Sequence, residues 1–214
     1  MAQRSFAKRA WYFVLRDLLR LAGAVLFRVR YRGQHWLPEQ GGALILSNHQ
    51  SHLDSILVGM ASDRQLNYLA RETLFEFAPF RWLINSLDAI PLNREGLGIG
   101  GLKETLRRLK RGEMVLIFPE GTRTADGSIR PFKPGFTALA RRGRVPLVPL
   151  GIAGAFEAWP RTRRFPRPGR IAVQIGQPIS PEEVSGFSDE QLLAEVHRRI
   201  AACHLLARRL RGRS

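Results

Sequence analysis

Two short segments carry residue types that do acid–base chemistry and hold anions. The first runs Ser47-Asn48-His49-Gln50-Ser51-His52-Leu53-Asp54, directly after an apolar run beginning at Ala43. A strand and then a helix are expected there, so His49 falls on the turn between them, where it can face a cleft. Asp54 lies one turn into the helix, within reach of the His49 ring. A carboxylate on one imidazole nitrogen fixes the tautomer and makes the other nitrogen a better base. The same logic lets a His–Asp pair activate a hydroxyl. No serine sits in a nucleophile-elbow pattern, so that hydroxyl could belong to a substrate. Other readings of these residues stay open. Ser51 to Asp54 fits a helix capping box with Asp in place of Glu. His52 and Asp54 form a second possible pair, and a metal site from His49, His52 and Asp54 is conceivable.

The second segment is Phe118-Pro119-Glu120-Gly121-Thr122-Arg123-Thr124, again after an apolar run. Gly121 permits close backbone approach, Thr122 offers a hydroxyl, and Arg123 offers a planar fork suited to phosphate. Lys133, in Pro131-Phe132-Lys133-Pro134-Gly135, adds a point charge. The plainer reading is a surface turn in which Arg123 pairs with Glu120. Ile90-Pro91-Leu92-Asn93-Arg94 places another arginine just beyond a short strand candidate. Val145-Pro146-Leu147-Val148-Pro149-Leu150-Gly151 has apolar residues that suit an inner strand and prolines that suit an edge or a bulge. Plain core is its simpler reading.

The elements that must position these residues alternate between two periods. Strands are expected at Ala43–Ser47, Leu66–Ala70, Ala89–Leu92, Met114–Phe118, Pro146–Ile152 and Ile171–Ile175. Helices are expected at Ser51–Ala61, Phe75–Leu87, Leu97–Lys110, Phe136–Arg141 and Ser188–Leu210, with a turn at Asp126-Gly127. The pattern predicts an α/β fold: one layered domain with a mixed, largely parallel central sheet flanked by helices. In such sheets ligands sit beyond the carboxyl ends of the strands, and the segments singled out above all follow strand candidates.

The chain has 214 residues, of which 44% are hydrophobic and 24% charged, enough for one domain with a sizeable core. Thirty-four Lys and Arg against eighteen Asp and Glu give a net charge of +16. That surface favours polyanions, either nucleic acid or an anionic membrane. One cysteine, Cys203, excludes an internal disulfide framework and a multi-cysteine metal site. It is expected as a buried thiol, in keeping with a reducing compartment. No run reaches the roughly 18 apolar residues of a spanning helix. From Trp11 to Phe27 the chain is strongly apolar, but Arg16, Asp17 and Arg20 interrupt it, with Arg16 and Arg20 on one helical face. Residues 1–30 are read as an amphipathic helix lying at a membrane interface, or as an ordinary amphipathic helix packed on the domain. Residues 31–214 are read as the globular domain. Arg161, Arg163, Arg164, Arg167 and Arg170 beside Trp159 and Phe165 make a second candidate interfacial stretch.

The order and spacing of the four segments resembles the lysophosphatidic acid (1-acylglycerol-3-phosphate) acyltransferase family. Its His-x4-Asp motif appears as His49 to Asp54, its arginine block as Ile90 to Arg94, its Phe-Pro-Glu-Gly-Thr-Arg block as Phe118 to Arg123, and its Val-Pro-x-Val-Pro block as Val145 to Pro149. The resemblance implies acyl transfer from acyl-CoA or acyl carrier protein to the 2-hydroxyl of 1-acyl-sn-glycerol-3-phosphate, without a metal, a cofactor or a covalent acyl-enzyme. It implies His49 as base, Asp54 as its orienting partner, Arg94, Gly121, Thr122, Arg123 and Lys133 around the acceptor phosphate, and Glu120 positioning that loop. It implies an anionic membrane surface as partner and a peripheral or monotopic place on its cytoplasmic face, with no nucleic acid. The same chemistry on glycerol-3-phosphate, another lysophospholipid or a lyso-aminolipid is the alternative. A basic nucleic-acid-binding α/β domain would explain the charge but not the ordered motifs.

Overall fold

The runs at 43–47, 114–117 and 147–153 lack polar alternation and are buried on both sides. Runs of this kind suit the middle of a parallel sheet covered by helices on each face. The structure, a computed structural model, describes residues 6–71, 90–92 and 98–212. Numbered in chain order, its strands are β1 (Arg30–Arg32), β2 (Ala43–Ser47), β3 (Leu66–Arg71), β4 (Ile90–Leu92), β5 (Met114–Ile117), β6 (Leu147–Ala153) and β7 (Ala172–Ile175). They form one seven-stranded sheet of order β1-β7-β6-β2-β5-β3-β4. Every neighbouring pair is parallel except β6 with β7. The expected mixed, largely parallel sheet is therefore present.

The described helices are α1 (Phe6–Phe27), α2 (Asp54–Ala61), α3 (Gly98–Lys110), α4 (Gly135–Gly143), α5 (Ala155–Ala158), α6 (Pro181–Gly186) and α7 (Asp189–Gly212). Alternate residues of β2 feed two cores. Ala43 and Ile45 pack with Phe27 of α1, Leu57 and Met60 of α2 and Ala155 of α5. Leu44 and Leu46 pack with Leu109 of α3, Leu139 of α4 and Val196 and Ile200 of α7. The long α7 buries Leu192, Val196, Ile200, Cys203 and Ala207 at three- and four-residue spacing. Gly151 lets it lie directly on β6, since a Cβ there would fall 2.2 Å from the backbone nitrogen of His204. Cys203 is buried beneath it as expected, and burial pushes its thiol up to about 11.

The structure corrects the sequence reading at several places. Pro149 lies in an interior strand, not at an edge, and the bulge half of the expectation is what accommodates it. The antiparallel register slips by one residue between the Leu147–Ile179 bridge and the Leu150–Ile175 pair, so Pro149 sits where the ladder asks for no N–H. Helix α2 starts at Asp54, not Ser51, because residues 51–53 form a turn whose N–H groups go to Asp54 Oδ2, the Trp159 carbonyl and Ser51 Oγ. Four described elements went unseen, one of them a single 3-10 turn at Gln34–Trp36. β1 and α5 are too short to show a period, whereas α6 carries a legible signal in Ser180-Pro181-Glu182-Glu183, a capping box with proline in the first turn. The helix expected at Phe75–Leu87 lies outside the described residues.

Helix α1 presents Arg16 and Arg20 to the domain rather than to solvent. Arg20 Nε donates to the carbonyl of Met60 at 2.9 Å, and Arg16 and Arg20 both reach Ser62 O and Asp63. These are the unpaired carbonyls at the carboxyl end of α2, where cations are favoured. Tyr12 is buried on the same side, its hydroxyl accepting from the Leu66 N–H at 3.3 Å. The opposite face exposes Trp11, Val14, Leu18, Leu21 and Val25, the last at 70%. An ordinary packed helix has the reverse arrangement. Among the described residues, no helix is long and apolar enough to cross a membrane.

Candidate active site

Three adjacent parallel strands, β6, β2 and β5, end at the same edge of the sheet. The His49 turn leaves the middle one, and the loops after β5 and β6 flank it. Asn48, fully buried, begins the turn by pairing with the backbone of β6: its Nδ2 donates to Ile152 O at 3.0 Å and its Oδ1 accepts from Ile152 N at 2.8 Å. The amide thus extends the sheet by one step across β2 and sets where His49 emerges.

His49 Nδ1 lies 2.8 Å from Asp54 Oδ2, and Asp54 is fully buried. The same oxygen accepts the backbone N–H groups of Gln50 at 2.5 Å and Ser51 at 2.7 Å. With the carboxylate already accepting twice, His49 Nδ1 is the donor of the pair, and Nε2 keeps its lone pair. The His49 ring stacks on Phe118 at 3.9 Å between centroids and 10° between planes. Carboxylate and ring stack together fix the imidazole in position and orientation. The bond to Ser51 N is also half of the expected capping box, so one carboxylate serves both readings. The second pairing, His52 with Asp54, does not form: His52 Nδ1 instead meets the guanidinium of Arg123. That cation also counts against the metal reading, and among the described residues no group of three His, Cys, Asp or Glu is placed to share a metal ion.

The Phe118–Thr124 segment clamps the peptide of His49 from both ends. Glu120 Oε1 accepts from His49 N at 2.7 Å, and Thr124 N donates to His49 O at 2.9 Å. The other Glu120 oxygen accepts from Arg130 N at 3.0 Å. Glu120 therefore ties the two motif loops together and does not pair with Arg123 as the surface-turn reading required. Gly121, at φ +69°, lies under the Lys133 side chain, whose Nζ would be 3.1 Å from a Cβ there. Arg123 and Thr122 follow half-buried on the same loop. Gly121, Arg123 and Lys133 are thus gathered at the rim of the His49 turn; Arg94 lies outside the described residues.

Trp159 is the residue that the sequence reading undervalued. Its carbonyl accepts from Ser51 Oγ at 2.7 Å and from His52 N at 3.4 Å, and its indole N–H donates to Arg163 O at 3.0 Å. The basic stretch after β6 is thereby fastened to the His49 turn. A backbone carbonyl has no residue-type signature, so no motif could have marked it.

Burial pushes the Glu120 carboxyl up to about 7, against the pull of its two backbone donors. The folded protein thus holds this proton more tightly than the unfolded chain does. The stabilisation that follows is complete below about pH 4.5 and is lost as pH rises through about 7. Glu120→Gln removes the titration. Urea unfolding between about pH 5 and 8 should show wild-type stability declining relative to that of the variant. A difference independent of pH excludes the carboxyl as a titrating group.

A family model described as Acyltransferase matches residues 28–153, more than half of the chain. A 1-acyl-sn-glycerol-3-phosphate acyltransferase of Pseudomonas aeruginosa is 32% identical over 186 residues, 85% of this chain and 70% of that protein. The protein of that name from Bacillus subtilis is 29% identical over 84% of this chain and 86% of its own length. The alpha form from Mus musculus is 34% identical over 76% of this chain, which spans 60% of that relative. Among solved structures, the 1-acyl-sn-glycerophosphate (LPA) acyltransferase PlsC from Thermotoga maritima superposes with a TM-score of 0.81 at 26% identity, covering 100% of this chain and 85% of that one. The chain belongs to the acyltransferase family, as its four motifs led one to expect.

Proposed function

We propose that this chain is a 1-acyl-sn-glycerol-3-phosphate O-acyltransferase, moving a fatty acyl group from acyl-CoA or acyl carrier protein to the 2-hydroxyl of the acceptor and giving phosphatidic acid. The observation that carries this is the His49–Asp54 pair, oriented by a buried carboxylate, with Nε2 left to act as base beside a cationic rim. His49 Nε2 takes the hydroxyl proton as the oxygen attacks the thioester carbonyl. The new C–O bond forms, the C–S bond breaks, and the imidazolium returns its proton to the departing thiolate. Asp54 stabilises that imidazolium. Gly121, Thr122, Arg123 and Lys133, joined by Arg94, hold the acceptor phosphate, and Glu120 positions their loop.

A purified-protein assay offering lysophosphatidic acid, glycerol-3-phosphate, lysophosphatidylcholine and a lyso-aminolipid, each with both donor types, tests the assignment. Lysophosphatidic acid should be the preferred acceptor; preference for an acceptor without a terminal phosphate overturns it. A charge-assisted fork to phosphate contributes about 1.5–3 kcal/mol. Arg123→Ala is therefore expected to lower kcat/KM for the acceptor by about 10- to 150-fold with the donor KM little changed. A raised donor KM with unchanged acceptor constants moves Arg123 to the donor side.

The reading extends to an anionic membrane surface, with the chain bound peripherally on the cytoplasmic face. Its support is the outward apolar stripe of α1 and the basic stretch joined to its end, where Gly169 N donates to Leu26 O and Ile171 N to Phe27 O. Within that stretch Phe165 is 67% exposed, with Arg164 over its ring. Each basic residue near an anionic surface contributes about 1 kcal/mol, and that part is screened by salt. Replacing Leu18 and Leu21 by glutamate spares the face docked on α2. Vesicle sedimentation should then show binding that is weaker and more salt-sensitive. Neutralising Arg161, Arg164 and Arg167 should leave it weaker and less salt-sensitive. Equal wild-type binding to neutral and anionic vesicles at every salt concentration defeats the charge argument.

A further inference from the structure

His52 sits on the catalytic turn three residues after the base, yet nothing in the acid–base chemistry uses it. It is exposed. Its ring lies 5.1 Å from that of Trp159, tilted by 41°. Its Nδ1 meets Nη1 of Arg123. A guanidinium has no acceptor atom and keeps its charge, so in this contact Arg123 donates and His52 Nδ1 accepts. The imidazole is then neutral, with its hydrogen on Nε2. Partial desolvation of the ring and the Arg123 charge both hold its pKa below the ordinary histidine value, with His49 adding in the same direction; the Arg161 backbone and Asp54 pull the other way.

We propose that His52 is a positioning residue for the acceptor's phosphate: its Nδ1 takes one N–H of Arg123 and holds the guanidinium at the rim of the His49 turn, where the fork receives a phosphate monoester. This rests on the phosphate role given to Arg123 above. The bond to His52 uses one of five guanidinium N–H groups. Trp159 braces the imidazole from one side, and the Trp159 carbonyl holds the His52 backbone, so the acceptor atom has a fixed place before substrate arrives. Arg123 is on a loop after β5 and His52 on the turn after β2, so the contact ties two loops together.

A proton on Nδ1 abolishes the contact and places two cations side by side. Acid therefore removes this hold on Arg123, and a bound phosphate dianion offsets the repulsion. Asparagine supplies an oxygen near the place of Nδ1 but does not titrate, whereas alanine removes the acceptor.

The test is steady-state kinetics with a short-chain lysophosphatidic acid, comparing wild type, His52→Asn, His52→Ala and Arg123→Ala between about pH 5.5 and 8.5. Titration of the phosphate near pH 6 is common to all four and cancels in the ratios. A neutral hydrogen bond contributes about 0.5–1.5 kcal/mol, so His52→Ala should raise the acceptor KM about 2- to 12-fold at neutral pH, with donor KM and kcat little changed. His52→Asn should restore most of that loss, and its KM ratio to wild type should vary with pH. In the Arg123→Ala background, His52→Ala should add nothing further. An unchanged acceptor KM in His52→Ala, with Arg123→Ala impaired, overturns the inference and leaves the phosphate reading intact. An unimpaired Arg123→Ala overturns both. An equal loss in His52→Asn and His52→Ala, or a loss mainly in kcat, reduces His52 to packing of the turn.

Discussion

His49→Ala is expected to lower kcat by about 10²–10⁴-fold, the range that a positioned base supplies, with the fold retained. The fold is retained because the side chain holds nothing up. It is about one-fifth exposed, and its contacts are the Asp54 carboxylate and one face of Phe118. The peptide that carries it is fixed independently, through Glu120 and Thr124, by bonds that use only its backbone. Acceptor KM should move little, since the contacts of the ring are to Asp54 and Phe118 and not to the groups proposed to hold the phosphate. Single-turnover acyl transfer with circular dichroism on the same samples decides the matter. An enzyme that keeps most of its turnover without His49, but loses it in His52→Ala, would place the base on the wrong histidine.

Asp54→Asn separates the two roles that one carboxylate carries. All three donors, His49 Nδ1, Gln50 N and Ser51 N, converge on Oδ2, while Oδ1 is buried with no partner among the described residues. An amide oxygen in the place of Oδ2 can still accept all three, so the turn should survive. The charge that stabilises an imidazolium is gone, and with it about 10²–10⁴-fold in kcat. Asp54→Ala goes further. It strands the buried N–H groups of Gln50 and Ser51, each costing about 1–3 kcal/mol, so stability should fall along with activity. If Asp54→Asn retained near-normal turnover, the carboxylate would be a turn-former only, and the capping reading would stand by itself.

The pairing of His49 with Asp54 was legible because their relation is local. Five positions separate them, and a strand-to-helix turn brings a histidine and a carboxylate at that spacing together whatever surrounds them. The central strands were legible for a similar reason: a short unbroken apolar run between turn residues suits the middle of a parallel sheet. The roles of Glu120 and His52 were less accessible. Glu120 could equally have paired with Arg123 three residues on, and His52 with Asp54 two residues on. What decided both was the pairing of β2 with β5, which sets the Glu120 loop against the His49 backbone and brings Arg123 to His52. Trp159 depends in the same way on β6 lying beside β2 on the other side.

Helix α1 marks the boundary most clearly. Its sequence determined that Arg16 and Arg20 share a face and that the apolar residues lie elsewhere on the wheel. It did not determine which face meets the protein, because periodicity fixes angles around an axis and says nothing of what stands beside it. The tertiary structure supplies that answer: the carboxyl end of α2 ends in unpaired carbonyls and Asp63, and these draw in the two arginines and turn the apolar stripe outward. Sequence alone thus determined which chemistry the chain carries and which strands hold it. Only the order of those strands, set by backbone pairing between residues as far apart as Leu46 and Pro149, decided which loops meet and which surfaces remain open.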